Sequence, residues 1–175
     1  DACVVTSNNN PFEGHYMYCN SDNDRKFYTI PTGKPYSTWR LEFEFYDPDD
    51  ADVLGVVFGC GTGTTHQYVA GVSAQEYQSG KGAYYSVKKG NDYSWVDFSP
   101  EAARDAGWHH VVIMHNGTHG NYTIIQDNGA INTKVIDGSN VCNNIIGYRN
   151  SQVTPFRIDN IKLYNDTVGA QSQEN

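Results

Sequence analysis

Leucine is nearly missing from this chain, occurring only at Leu41, Leu54 and Leu163 among 175 residues. Helical bundles build their seams largely from leucine, so that scarcity, beside 17 glycines, argues against one. Long apolar runs are also missing. The longest are Val53-Leu-Gly-Val-Val-Phe58 and Val111-Val-Ile-Met114, far short of the roughly 20 residues of a membrane helix, so membrane insertion is excluded. Positive charge is scarce: 12 Lys and Arg stand against 20 Asp and Glu, a net charge of −8. Phosphate backbones need a basic surface, so a nucleic-acid role falls, and binding to anionic membrane surfaces falls with it. Finally, the four cysteines contain no Cys-x-x-Cys pair, the spacing that structural zinc sites favour.

What is present is aromatic and strand-like. Thirteen tyrosines in a chain that is 13% aromatic are too many for a disordered segment. A chain of this length can bury roughly 70% of its unfolded surface in one core. No repeat, linker or composition break divides it, which predicts a single domain over residues 1–165 and a polar, frayed tail over 166–175. Alternation of period two dominates. In Arg40-Leu-Glu-Phe-Glu-Phe-Tyr46, the residues Leu41, Phe43 and Phe45 face one way and Glu42 and Glu44 the other. Further strands are expected at 53–58, 66–72, 83–88, 93–98, 108–115, 121–126, 131–136, 142–147 and 156–164, separated by turns such as Asn116-Gly117, Asn128-Gly129 and Asp137-Gly138. The expected fold is therefore all-β, an antiparallel β-sandwich. One helical turn is expected near 99–106, with Ser99 as cap, Pro100 at the first helical position and Gly107 as stop.

The even count of Cys3, Cys19, Cys60 and Cys142 predicts disulfides. Cys3 with Cys19, and Cys60 with Cys142 across the sheets, is one of three possible pairings. Disulfides and a start at Asp1, as signal removal would leave, point to a secreted, extracellular protein. Sequons at Asn116, Asn121 and Asn165 fit glycosylation in a eukaryote.

A resemblance sharpens the fold. Gly107-Trp-His-His-Val-Val112, then Tyr122-Thr-Ile-Ile-Gln-Asp-Asn-Gly129, Ile146-Gly147 and Phe156-Arg-Ile-Asp-Asn-Ile-Lys-Leu-Tyr164 follow one another as they do in the concanavalin A-like, laminin-G-like jelly roll. Asn128 stands where that family usually has Asp, and residues 60–98 match nothing in it. The resemblance implies a sandwich similar to lectins and carbohydrate-binding modules. It also implies a structural calcium between the N-terminus and the last strand, with Glu13 and Asp159 as ligands.

Several constellations carry chemistry. Asp47-Pro-Asp-Asp-Ala-Asp52 places Asp47, Asp49, Asp50 and Asp52 in one turn, the hard-oxygen set that Ca²⁺ takes, or simply a solvated acidic turn. Between 68 and 98, the aromatics Tyr77, Tyr84, Tyr93 and Trp95 mix with Gln75, Asn91 and Asp92. Aromatic faces stack on sugar rings while amides and carboxylates hold hydroxyls, so these seven residues form the expected carbohydrate platform. Glu42 and Glu44 resemble the paired acids of a glycosidase, but Glu-x-Glu-x-x-Asp is not the family's order and a strand with a wet face explains them equally. Lyase chemistry would need a Tyr or His base beside Arg or Gln; His66-Gln-Tyr68 and Tyr84 to Lys88 offer those types without a full motif. His109 and His115 share a strand face too far apart to hold one ion directly. The expectation is a non-catalytic, lectin-like domain whose partner is a glycan or polysaccharide. The alternative is a structural or adhesive subunit that associates with copies of itself, and a lyase or hydrolase comes third.

Overall fold

The computed structural model describes residues 4–7, 15–19, 26–47, 56–61, 70–73, 84–89, 95–126, 128–138, 141–149 and 156–165. These form thirteen strands: β1 (Val4–Ser7), β2 (His15–Cys19), β3 (Lys26–Tyr36), β4 (Trp39–Asp47), β5 (Val56–Gly61), β6 (Ala70–Ser73), β7 (Tyr84–Lys89), β8 (Trp95–Ala103), β9 (Gly107–His115), β10 (His119–Ile125), β11 (Ile131–Asp137), β12 (Cys142–Arg149) and β13 (Phe156–Tyr164). A ten-stranded sheet runs β1-β2-β13-β4-β9-β10-β11-β8-β7-β6, and a three-stranded sheet runs β3-β12-β5. The pairings are antiparallel.

The alternation read in the sequence sets the core. Leu41, Phe43 and Phe45 of β4 point inward with at most 3% exposure and meet Val111 and Ile113 of β9 and Ile124 of β10. Cys60 of β5 and Cys142 and Ile145 of β12 join the same cluster, so the two sheets close over one apolar interior. That is the sandwich the sequence predicts.

Three local expectations are corrected. No helical turn forms at 99–106: β8 continues to Ala103, with Tyr84 and Tyr85 paired to Ala103 and Ala102. Buried Asn132 also donates to the carbonyls of Pro100 and Glu101, at 3.1 and 3.2 Å, and these tertiary partners outweigh the local cap and Pro signals. The Cys60–Cys142 disulfide forms, but it joins neighbouring strands of the small sheet rather than crossing between sheets. The third is β3, which carries Pro31, Gly33 and Pro35 and was not expected as a strand. It lies at an edge of the small sheet, where a missing N–H is tolerated. The pairing of Cys3 with Cys19, and the tail 166–175, lie outside the described residues.

The seam between β8 and β11 is thin. Among the described residues, Thr133 opposite Ser99 is the backbone pair that joins them. Side chains reinforce it: buried Gln126 donates to the Ala103 carbonyl, and Asn132 reaches β8 as above.

Candidate functional site

Inward parity on β4 carries past Phe45 to Asp47, which is fully buried. A buried carboxylate needs a cation or several donors. Arg104 supplies a two-pronged contact, Nε to Oδ2 at 2.9 Å and a terminal nitrogen to Oδ1 at 2.8 Å. The Tyr85 hydroxyl donates to the same Oδ2 at 2.8 Å. Its oxygen is left to accept from His109 Nε2 at 2.9 Å, and His109 also reaches the Asp105 carbonyl at 2.8 Å. This network uses Nε2 of His109; among the described residues its Nδ1 makes no hydrogen bond. Burial, and then the charge of Asp47, push the Tyr85 phenol far above its ordinary range.

Tyr, His and Arg together are the residue types of a lyase, but this arrangement has no open face. Tyr85 and His109 are 0% exposed, Arg104 holds Asp47 through two of its nitrogens, and burial favours the protonated phenol. The constellation is an internal brace. Its importance lies in what it ties together. It fastens the end of β4, at Asp47, to the start of β7, at Tyr85, and to Arg104 and His109.

As a metal ligand, Asp47 is otherwise engaged, because strand parity turns it inward rather than toward the turn. Asp49, Asp50 and Asp52 lie outside the described residues, as does Glu13. Asp159 stands on β13 opposite Glu44, and one of its oxygens accepts the Asn160 backbone N–H at 2.8 Å. Among the described residues, no group of three or more His, Cys, Asp and Glu is arranged to hold an ion.

Of the aromatic platform, Tyr84 is half-buried near one end of the β7–β8 ladder, opposite Ala103, whereas Trp95 pairs with Lys88 at the other. Gln75, Tyr77, Asn91, Asp92 and Tyr93 lie outside the described residues. Of the sequons, Asn116 is exposed in a turn, where its side chain accepts from the N–H groups of Thr118 and His119. Asn121 is half-buried on β10, and Asn165 is exposed just beyond β13.

The outer face of the large sheet holds a second polar group. Glu42 lies 3.2 Å from Arg40 Nε, whose guanidinium stacks over Tyr164, 4.1 Å from the ring centroid. Glu44 accepts from Asn160 Nδ2 at 2.7 Å, and its other oxygen lies 3.8 Å from His110 Nδ1. Asn160 sits in a bulge with φ of 51°, a left-handed conformation that Asn adopts more readily than most residues. Each of the two glutamates is thus engaged by a separate partner rather than paired as a catalytic dyad. Sequence reasoning missed Tyr85, Arg104 and His109 as a unit. Its one available signal was the parity of β4, which makes Asp47 a buried acid in want of a cation.

No protein-family model matches the chain, and no curated protein does either. Solved structures do. The Ca²⁺- and mannose-bound VIP36 exoplasmic/lumenal domain is similar with a TM-score of 0.60 at 10% identity, over 93% of this chain and 82% of that one. Peanut lectin with a nine-residue peptide gives 0.52 at 13% identity, over 92% and 87%. A single-substitution variant of congerin II gives 0.50 at 11% identity, over 81% and 100%. At such identities the likeness is one of fold alone: the chain is an antiparallel β-sandwich similar in fold to these domains.

Proposed function

We propose that this domain binds carbohydrate without cleaving it, as a lectin-like protein of the secretory pathway or extracellular space. The observation that supports the reading is the β-sandwich fold shared with solved lectin domains, in which the Tyr85 hydroxyl bonds to Asp47. In this reading Tyr77, Tyr84, Tyr93 and Trp95 stack a sugar ring, and Gln75, Asn91 and Asp92 take its hydroxyls. Ca²⁺ sits at the turn with Asp49, Asp50 and Asp52 or between Glu13 and Asp159. The mannose and Ca²⁺ in the VIP36 structures support this choice of ligands. The buried disulfide supports an oxidising compartment, and there Asn116, Asn121 and Asn165 are candidates for glycosylation. A glycan array at millimolar Ca²⁺, repeated with chelator, tests the reading. Binding abolished by Trp95→Ala is the expected result, and a blank array on folded protein overturns it.

Self-association is the second reading, favoured by Ile131 and Val135, which are 60% and 59% exposed on one side of β11. Sedimentation of the purified chain at high concentration separates the two. A monomer removes the second.

A further inference from the structure

The outer face of β4, β9 and β13 holds a carboxylate that is nearly buried yet not fully bonded. The Glu44 side chain is only 10% exposed. Asn160 Nδ2 occupies Oε2 at 2.7 Å, and the bulge that sets Asn160 is itself fastened by Asp159. Oε1 faces His110 Nδ1 across 3.8 Å, too far for a hydrogen bond, and the His110 side chain is 35% exposed to solvent. Two hydrogen bonds of about 2.7–2.9 Å meeting near a right angle at one oxygen span such a gap. A hydroxyl is the group that fits. It donates its one proton to the carboxylate and accepts from the Nδ1–H of His110, so the fit requires the ring form that carries a proton on Nδ1. Tyr46, two residues beyond Glu44 on the same face, packs edge-on with Trp108 at 5.6 Å and makes an aromatic wall beside the gap.

We infer that Glu44 and His110 form a hydroxyl-binding subsite for a neutral sugar ring, on the sheet face and separate from the aromatic segment at 68–98. The choice of a sugar among hydroxylated ligands rests on the carbohydrate-binding reading. The held carboxylate and its open oxygen do not. A divalent ion fits less well, because the described residues include no set of three ligands here.

The test is a titration of the isotope-labelled full chain, following the His110 ring by NMR, with its signals assigned through His110→Gln. The probes are methyl mannoside, glucoside and galactoside, with CaCl₂ and ZnCl₂ in separate runs. The expected result is a saturable His110 shift with at least one glycoside, weakened roughly ten- to hundredfold in Glu44→Gln and retained in Trp95→Ala. Glu44→Gln keeps the shape of the side chain and its bond to Asn160, and an unchanged far-ultraviolet spectrum establishes that it folds. Three results overturn the inference: no shift with any glycoside, a shift unchanged in Glu44→Gln, or a shift with metal ions alone. The two sugar readings fail separately. A Trp95-dependent array signal with a silent His110 removes only this subsite. A moving His110 beside a blank array leaves the subsite and removes the aromatic platform.

Discussion

Arg104→Ala should be among the most damaging single substitutions on this chain. Asp47 is 0% exposed, and its partners there include Arg104 and the Tyr85 hydroxyl. Removing the guanidinium leaves a buried carboxylate with its strongest partner gone. Breaking a buried ion pair from one side costs about 3–5 kcal/mol. For a domain of this size about 2–4 °C is lost per kcal/mol, so Tm should fall by roughly 6–20 °C. Tyr85→Phe keeps the ring and removes one hydrogen bond to a charged group, about 1.5–3 kcal/mol. The double variant Asp47→Ala/Arg104→Met removes both charges and should cost clearly less than the sum of its singles. Thermal and urea unfolding, with refolding checked, reads all of these. If Arg104→Ala lost less than about 1 kcal/mol, or the double variant were simply additive, the brace would not be holding Asp47 and the argument would fail.

Other expectations follow from the same structure. Tyr85 and Tyr122 are buried, and burial raises both phenols above their ordinary value. The unfolded chain therefore releases these protons first. Stability is complete below about pH 10 and falls above it by roughly 1.4 kcal/mol per pH unit per tyrosine; Tyr122→Phe should halve that slope in base titrations. Cys60 and Cys142 close a loop with a sequence separation of 82, worth about 4.5 kcal/mol on a chain-entropy account, so Cys60→Ala/Cys142→Ala should unfold at markedly lower urea in a denaturation series. Gly120→Ala would bring a Cβ within 2.9 Å of the fully packed Tyr122 ring, and a loss of about 1–3 kcal/mol is expected by calorimetry.

Most strands from Trp39 onward were legible in the sequence from their alternation, β8 beyond Phe98 excepted. The expected 108–115 and 131–136 correspond to β9 at Gly107–His115 and β11 at Ile131–Asp137. The first three strands were not legible. Pro31, Gly33 and Pro35 speak against a strand, and only the edge position of β3, a fact of tertiary structure, makes them tolerable. Ser99-Pro-Glu-Ala-Ala reads as a helix start until Asn132 and Tyr85 claim its backbone from other strands. For the site, sequence reasoning found Glu44 as an acid on a strand face and named Asp159 only as a calcium ligand with Glu13; Asp159, His110 and Asn160 become neighbours of Glu44 only through the registers of β9 and β13. Asp47 and Arg104 are 57 residues apart, and no local pattern announces a pair at that range.

The order of strands also fixes when this protein can exist. β12 lies between β3 and β5, and β13 lies between β2 and β4, so the last quarter of the chain supplies a central member to both sheets. Until β13 is made, β1 and β2 pair only with each other and are cut off from β4, and until Cys142 is made Cys60 lacks the thiol it pairs with. Completion of both sheets is thus a late event: a chain truncated after β11 would keep the run β4-β9-β10-β11-β8-β7-β6 but lose the centre of the small sheet and the link from β2 to β4.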